Sequence, residues 1–330
     1  MSAKADSDRP VRLALTMGDP AGIGPEIAVK ALCGDRLPED VRLTVVGSPA
    51  VLRHEAQALG LDPALIERRA EVIALDNFPP EQLSVRTPTA PGGQASVEYI
   101  ESGVRLILSG DADALVTCPI SKEAIAAGGS DFPGHTEMLA ALTGAAQVLM
   151  VLAGSDLRVA LVTRHVALRD VARLLRAQDI TDAAAMFSDG LRRYFGIGRP
   201  RLAVCGLNPH CGDGGLFGDE EARIIAPAVA AARAQGVSLD GPLPADSVFA
   251  QAAHGAYDGV LALYHDQGMI PVKFAGLHSV VNVTFGLPII RTSVGHGTAF
   301  DIAGQGRADE RSLLEAIRVA ARMVRASRAC

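Results

Sequence analysis

Three histidines stand just past the ends of three apolar runs. His165 follows residues 158–163 (RVALVT), His210 follows 201–206 (RLAVCG), and His265 follows 259–264 (GVLALY). Imidazole suits borderline metals such as Zn²⁺ and Co²⁺, while Mg²⁺ prefers oxygen. Three imidazoles with a fourth position open make a catalytic zinc-type site. The plainer alternative for each is a hydrogen-bonded loop histidine. His54, His254 and His278 have polar neighbours and read as surface residues. Asp266, beside His265, fits an orienting carboxylate, a proton acceptor or a turn former. Asp246, in the stretch PADS, fits a helix N-cap or a catalytic acid. Residues 260–304 also carry Lys273, Asn282 and Arg291 between apolar stretches read as strands. A buried cation needs an anionic partner, and Arg matches phosphate or carboxylate in a bidentate fork. A salt bridge to one of the chain's 37 acids would serve as well.

These residues need a frame. In a parallel sheet all strand C-termini point one way, and ligands bind in the crevice there. Asp19 and Lys122 also lie past apolar runs, 12–17 (RLALTM) and 112–117 (ADALVT). The stretch PGHTE (133–137) leads into a helix that Thr136 is placed to cap, where N–H groups favour an anion. The glycine-rich turn after Met17 invites a dinucleotide-fingerprint reading, which fails. Its spacing is Gly22-x-Gly24-x-x-Ile27, without the third glycine, and the next strand ends in Gly47 rather than an acid. A tight βα turn with a proline-started helix accounts for it. Residues 94–108 form an amphipathic pattern, and 309–327 have apolar residues at 313, 314, 317, 320, 321 and 324, the spacing of a helix on a core. Asp219, Glu220 and Glu221 open another helix, as its dipole favours, and Pro227 should kink it. Residues 295–304 (GHGTAFDIAG) predict a loop leading into a short helix, its glycines allowing a flat ligand close to the backbone.

Composition sets the bounds. The chain has 330 residues, 48% hydrophobic and 4% aromatic with no Trp, which predicts an α/β fold of helices on a parallel sheet. Net charge is −6 with no basic stripe, which argues against nucleic acid. No apolar run reaches the length of a membrane span. The polar start MSAKADSDRP has no secretory core. Five cysteines without CxxC spacing fit a reduced, cytoplasmic setting, with Cys118 and Cys205 acting as small hydrophobes in strands.

The motifs TMGDPAGIGPEI, PGHTE, NPHCGDGGLFGDEE, YHDQGMIPVKF and NVTFGLPIIRTSVGHGTAFDIAG together span nearly the whole chain. In them the sequence resembles the PdxA family of pyridoxal-phosphate biosynthesis. The resemblance implies the isocitrate and isopropylmalate dehydrogenase-like fold, two α/β/α domains with an interdomain cleft. One domain would be 1–133 plus 285–330. The other, 134–284, would carry most of the metal site and the interface of a homodimer. The implied reaction is metal-dependent oxidation of 4-phosphohydroxy-L-threonine by NAD or NADP. The oxidised acid then decarboxylates to 3-amino-2-oxopropyl phosphate. By the same resemblance His165, His210 and His265 bind the divalent metal (Zn²⁺, with Mg²⁺ or Co²⁺ as alternatives) in a site shared between subunits. His135, Thr136, Lys273, Asn282 and Arg291 hold the substrate. Gly295, Gly297, Thr298 and Asp301 face the cofactor, and the 19–26 turn lines the cofactor cleft. Asp246 and Asp266 are the two candidates for the base.

Alternatives remain within and outside the family. D-Threonate and D-erythronate 4-phosphates are family substrates that the YHDQGMIPVK stretch does not separate from the first. A cyclic diol dicarboxylate fits less well, because His135, Thr136 and Arg291 are all present. A phosphoryl- or acyl-transfer enzyme would need a P-loop lysine, and no GxxxxGK[ST] occurs. A non-enzymatic metal-binding protein is the third class.

Overall fold

The structure is a computed structural model and describes residues 9–154, 157–276 and 279–329. His278 and Cys330 lie outside the described residues. The chain begins with β1 (Val11–Thr16), α1 (Gly24–Cys33), β2 (Val41–Gly47), α2 (Pro49–Ala58), α3 (Ala64–Arg69) and β3 (Ala70–Ala74). It continues with α4 (Ala90–Leu108), β4 (Ala114–Thr117), α5 (Lys122–Ala127) and α6 (His135–Thr143). Next come β5 (Leu149–Ala153), β6 (Arg158–Leu161), α7 (Leu168–Leu174), α8 (Ala177–Phe195), β7 (Leu202–Cys205) and α9 (Ala226–Ala234). The chain ends with β8 (Leu239–Leu243), α10 (Ala245–Ala253), β9 (Gly259–Ala262), α11 (His265–Gly276), β10 (Val281–Phe285), β11 (Arg291–Val294) and α12 (Arg311–Ala329). The expected α/β class is observed. Two compact units divide the chain: the described residues up to Val148 with Leu287–Ala329, and Leu149–Gly286.

In the first unit the strand order is β3-β2-β1-β4-β11, all parallel. Strands β4 and β11 are buried at every position and β1 at all but one, as parallel strands between helices must be. Helix α12 buries Leu313, Leu314, Ile317, Ala320, Ala321 and Val324, the stripe its spacing predicts. Ser48, Thr89 and Ser121 cap α2, α4 and α5 through their side-chain oxygens. Helix α6 belongs here, because Met138 and Leu139 share a core with Ile100, Val104 and Leu115. The contact boundary therefore falls after Val148 and not at the expected 133/134. The short helix expected after Gly295 is absent from the described residues; 300–306 form turns. Positive φ at Ala299, Gly304 and Gly306 breaks any helical run there.

In the second unit the order is β10-β5-β6-β9-β7-β8. Strand β5 is antiparallel to both neighbours, while β6, β9, β7 and β8 are parallel to one another. Their core holds Leu152, Val159, Leu161, Cys205, Val260 and Val272. Two details differ from expectation. Lys273 lies on helix α11 and not between strands. That helix sits tight on the sheet, since a Cβ on Gly268 would fall 2.7 Å from Leu161 and 2.8 Å from Val159. The kink expected at Pro227 takes the form of a π-turn over Glu221–Ile225, after which Pro227 fits the first turn of α9.

Candidate functional site

Four adjacent parallel strands of the second unit carry chemistry at their C-terminal ends. His165 follows β6, His265 follows β9, His210 follows β7 and Asp246 follows β8. Two of these side chains meet. The rings of His165 and His265 have centroids 6.0 Å apart, tilted by 40°. A metal bonded to both at about 2 Å would need centres about 5–6 Å apart, so the pair fits one ion. Asp266 Oδ1 lies 2.6 Å from His265 Nδ1, which fixes the ring and leaves Nε2 to face a ligand. Of the three sequence readings for Asp266, the orienting carboxylate is the one its geometry matches. Beside the pair is a cavity of ≈ 310 Å³ lined by Arg164, Val166, Leu168 and Tyr264 along with the two histidines.

His210 is placed differently. It is exposed and opens a loop in which five consecutive residues, His210–Gly214, have φ of 51, 56, 80, 44 and 68. Among the described residues no group of three or more His, Cys, Asp or Glu side chains is disposed to hold one ion. The third histidine thus does not complete the pair within one chain. Burial raises the neighbouring Cys211 thiol, and the carboxylates of Glu221 and Asp246 raise it further. Asp246 therefore stands close to the His210 loop. It is exposed and lies inside the first turn of α10, whose cap position is Pro244, and it makes no cap hydrogen bond. The N-cap reading fails because Asp246 sits beyond the position from which a side chain reaches back to the first N–H groups. Lys273 is half-buried on α11. Asn282, the second residue of β10, has a buried Oδ1 without a hydrogen-bond partner among the described residues.

The first unit gathers the remaining candidates. Arg291 opens β11, is 2% exposed, and donates from Nη2 to Thr117 Oγ1 at 2.8 Å. Burial pushes its pKa down to about 9, so it stays cationic at neutral pH. His135 is the first residue of α6. Its Nε2 is shielded from solvent with no hydrogen-bond partner among the described residues. Burial, then the Arg291 charge, lowers its pKa well below the ordinary value and keeps the ring neutral. Thr136 follows inside the first turn and does not cap α6, because Gly134 occupies the cap position.

The glycine turn after β1 is knitted to the loop that holds Gly295, Gly297, Thr298 and Asp301. Ile23 N–H donates to Thr298 O at 2.9 Å, and a Cβ on Gly22 would sit 3.0 Å from Thr298. Glu26 Oε1 accepts from Ala308 N–H and from Lys30 Nζ, each at 2.8 Å. Gly297 and Asp301 are exposed, Gly295 and Thr298 half-buried. Asp19 is fully buried in this turn. Its Oδ1 accepts from Ala21 N–H at 3.0 Å, its Oδ2 has no partner among the described residues, and burial raises its pKa to about 6.

Three supporting residues were missed by sequence reasoning. Glu221 accepts from Leu207 N–H and Asn208 N–H at 2.8 and 2.7 Å, and from Asn208 Nδ2 at 2.9 Å. Burial raises its pKa, but these Asn208 and Leu207 bonds outweigh that and hold it below the usual range. Gln267 joins two strand ends, accepting from Leu263 N–H and donating to Gly206 O, both at 2.7 Å. Thr117 positions Arg291. Of these, only the acid run 219–221 carries a sequence signal, and the helix dipole by itself accounts for acids there.

The second unit is an α/β layer that brings imidazole and carboxylate groups to the C-terminal ends of parallel strands, the arrangement of a small-ligand enzyme. The family model described as Pyridoxal phosphate biosynthetic protein PdxA matches residues 39–320. A protein of Geobacter metallireducens named 4-hydroxythreonine-4-phosphate dehydrogenase is 48% identical over 95% of this chain and 96% of its own length. One of Cupriavidus necator named D-threonate 4-phosphate dehydrogenase is 46% identical over 94% of this chain and 96% of its own. A crystal structure of a 4-hydroxythreonine-4-phosphate dehydrogenase from Klebsiella pneumoniae superposes with a TM-score of 0.85. It is 42% identical and covers 96% of this chain and 98% of that one. The chain belongs to the PdxA family.

Proposed function

We propose that the chain oxidises 4-phosphohydroxy-L-threonine with NAD or NADP and a divalent metal, giving a 2-amino-3-oxo acid that loses CO₂ to form 3-amino-2-oxopropyl phosphate. One observation carries the reading: two imidazoles at the ends of adjacent parallel strands, 6.0 Å apart, one of them oriented by a carboxylate. When bound, the divalent ion lends Lewis acidity to the substrate hydroxyl and the oxidised nicotinamide takes up hydride. His165 and His265 offer two nitrogens to the ion, and all-imidazole donors favour Zn²⁺ over Mg²⁺. The third nitrogen comes from the partner's His210 in a homodimer.

The chain's other groups bind and orient. Arg291 and Lys273 hold the phosphate and carboxylate charges. Neutral His135, Thr136 and Asn282 supply hydrogen bonds that fix the pose. With Asp266 engaged at His265, Asp246 is the better base. Gly295, Gly297, Thr298 and Asp301 line the cofactor. The apolar side chains left exposed on the second unit, Phe274, Ile270, Leu168, Leu216 and Phe217, support the dimer. Family, size and reduced thiols fit a cytoplasmic enzyme.

A second reading has a specific basis, the 46% identical relative named for D-threonate 4-phosphate. The test is reduced-nicotinamide absorbance with metal-loaded protein, NAD⁺ or NADP⁺, and a panel of 4-hydroxythreonine, D-threonate and D-erythronate 4-phosphates. The expected result is turnover of the first. Preference for D-threonate 4-phosphate selects the second reading, and no turnover on any member overturns both.

A further inference from the structure

The loop that presents His210 adopts a conformation that its own residues disfavour. His210–Gly214 all lie in the left-handed region, and His210, Cys211 and Asp213 carry a Cβ. Cys211 is disfavoured there by roughly five- to thirty-fold relative to the right-handed region, and His210 and Asp213 by less. Runs of this kind persist only where the surroundings over-determine them.

The surroundings converge on one side chain. Glu221 is 6% exposed, although it lies in a run of acids on a protein surface. Its carboxylate points back into the loop. Oε1 accepts from Leu207 N–H and Asn208 N–H, and Oε2 from Asn208 Nδ2. Asn208 Nδ2 also donates to Glu220 Oε2 at 2.7 Å. The backbone is wrapped closely around this carboxylate. A Cβ on Gly212 would lie 3.0 Å from Glu221 Oε2, and one on Gly206 would lie 3.3 Å from Glu221 Oε1. The other end is tied independently, since Gly206 O accepts from Gln267.

We infer that Glu221 is a positioning residue that anchors Leu207 and Asn208, keeps the following run 210–214 left-handed and thereby aims His210. The left-handed run begins at His210 itself, so the direction of its Cα–Cβ bond depends on the loop keeping this hand. Without Glu221 the two N–H groups and the Asn208 amide lose their common acceptor, and the loop relaxes toward ordinary backbone. The inference rests on the proposed metal role of His210.

The test uses the full-length apo protein titrated with Co²⁺, read by the ligand-field spectrum and the dissociation constant, with circular dichroism as the fold control. The variants are H210A, E221A, E221Q, D213G and E221A/D213G. H210A should weaken Co²⁺ and change its spectrum. E221A should weaken Co²⁺ about 10- to 100-fold, as loss of groups behind metal ligands does, with E221Q intermediate. Asp213→Gly removes one disfavoured Cβ. In the E221A background it should restore affinity by up to about five-fold, and alone it should change affinity less than two-fold. If E221A fails to fold, the pair E221Q and E221Q/D213G decides by the same recovery. Wild-type Co²⁺ affinity in E221A, with H210A impaired, overturns the inference. Loss of affinity that glycine at 213 does not recover also overturns it, because Glu221 would then act through its charge. Wild-type binding by H210A overturns instead the metal reading beneath it.

Discussion

Asp19 is a carboxyl whose charge the fold resists. Its pKa rises from 3.8 to about 6 because burial removes water from the charged form, and the Ala21 N–H offsets only part of that. Below pH 3.8 both folded and unfolded chains hold the proton, and the group is neutral in the balance. Between about 4 and 6 the unfolded chain ionises first, so stability is lost as pH rises, by up to about 3 kcal/mol. Asp19→Asn keeps an acceptor for Ala21 and does not titrate. Urea unfolding at pH 4, 5, 6 and 7 should show the wild type losing stability relative to this variant as pH rises; parallel profiles would disprove the shift. His135 has the opposite sign. Its lowered pKa means the unfolded chain takes up a proton first, so its contribution is lost as pH falls below 6.5. These residues were partly legible in the sequence. Histidines and acids past apolar runs stand out because a strand's end is visible locally. The supports are not, because their contacts are remote: Thr117 and Arg291 are 174 residues apart and meet only through β4–β11 pairing.

Helix α8 shows what an element requires of its neighbours. Gly190 lies under Phe285 of β10, and a Cβ there would fall 2.2 Å from the ring. Phe187, Tyr194 and Phe195 surround the same ring at 6.3, 5.7 and 6.3 Å. Gly190→Ala therefore overpacks a cluster with no room to yield. A loss of about 1–3 kcal/mol is expected, read as a lower urea midpoint with an unchanged m-value. A midpoint equal to or above wild type, as better helix propensity alone would give, excludes the close packing. At this scale the periodic elements were readable. The stripe of α12 and the apolar runs of β1, β4, β6, β7 and β9 follow from spacing alone. What spacing could not reveal was decided by tertiary contact. The stretch HDQGMIPVKF has few long-range cues, contains Pro271, and reads as part of a strand-rich segment. It forms α11 because Gly268 lets it lie on β6 and β9 while Gln267 ties β9 to β7. Likewise the left-handed run after Pro209 has three non-glycine residues, and it is anchored by Glu221 and Gln267, which lie outside it.

For the molecule as a whole, the two-histidine pair of one chain bears on stoichiometry, because among the described residues no third ligand joins it. If the proposed dimer supplies the missing ligand, tight metal binding requires association, and a monomer should lose it. Phe274 is the place to test this. It is 94% exposed on α11, the helix that also begins with His265, so its ring adds nothing to the core of its own chain. Burying one such side chain contributes about 1.5–3 kcal/mol, and a symmetric interface would count it twice. Phe274→Glu should thus leave the secondary structure and the monomer's fold intact while shifting the protein to monomer. Sedimentation velocity reads the association state, and metal analysis of the same fractions reads occupancy per chain. The expected outcome is a folded monomer with little bound Zn²⁺. His210→Ala should instead remain dimeric and lose metal, because it removes a ligand without touching the apolar surface. A Phe274→Glu protein that is monomeric yet fully loaded with metal would show that each chain completes its own site. The partner's His210 would then have no part in it.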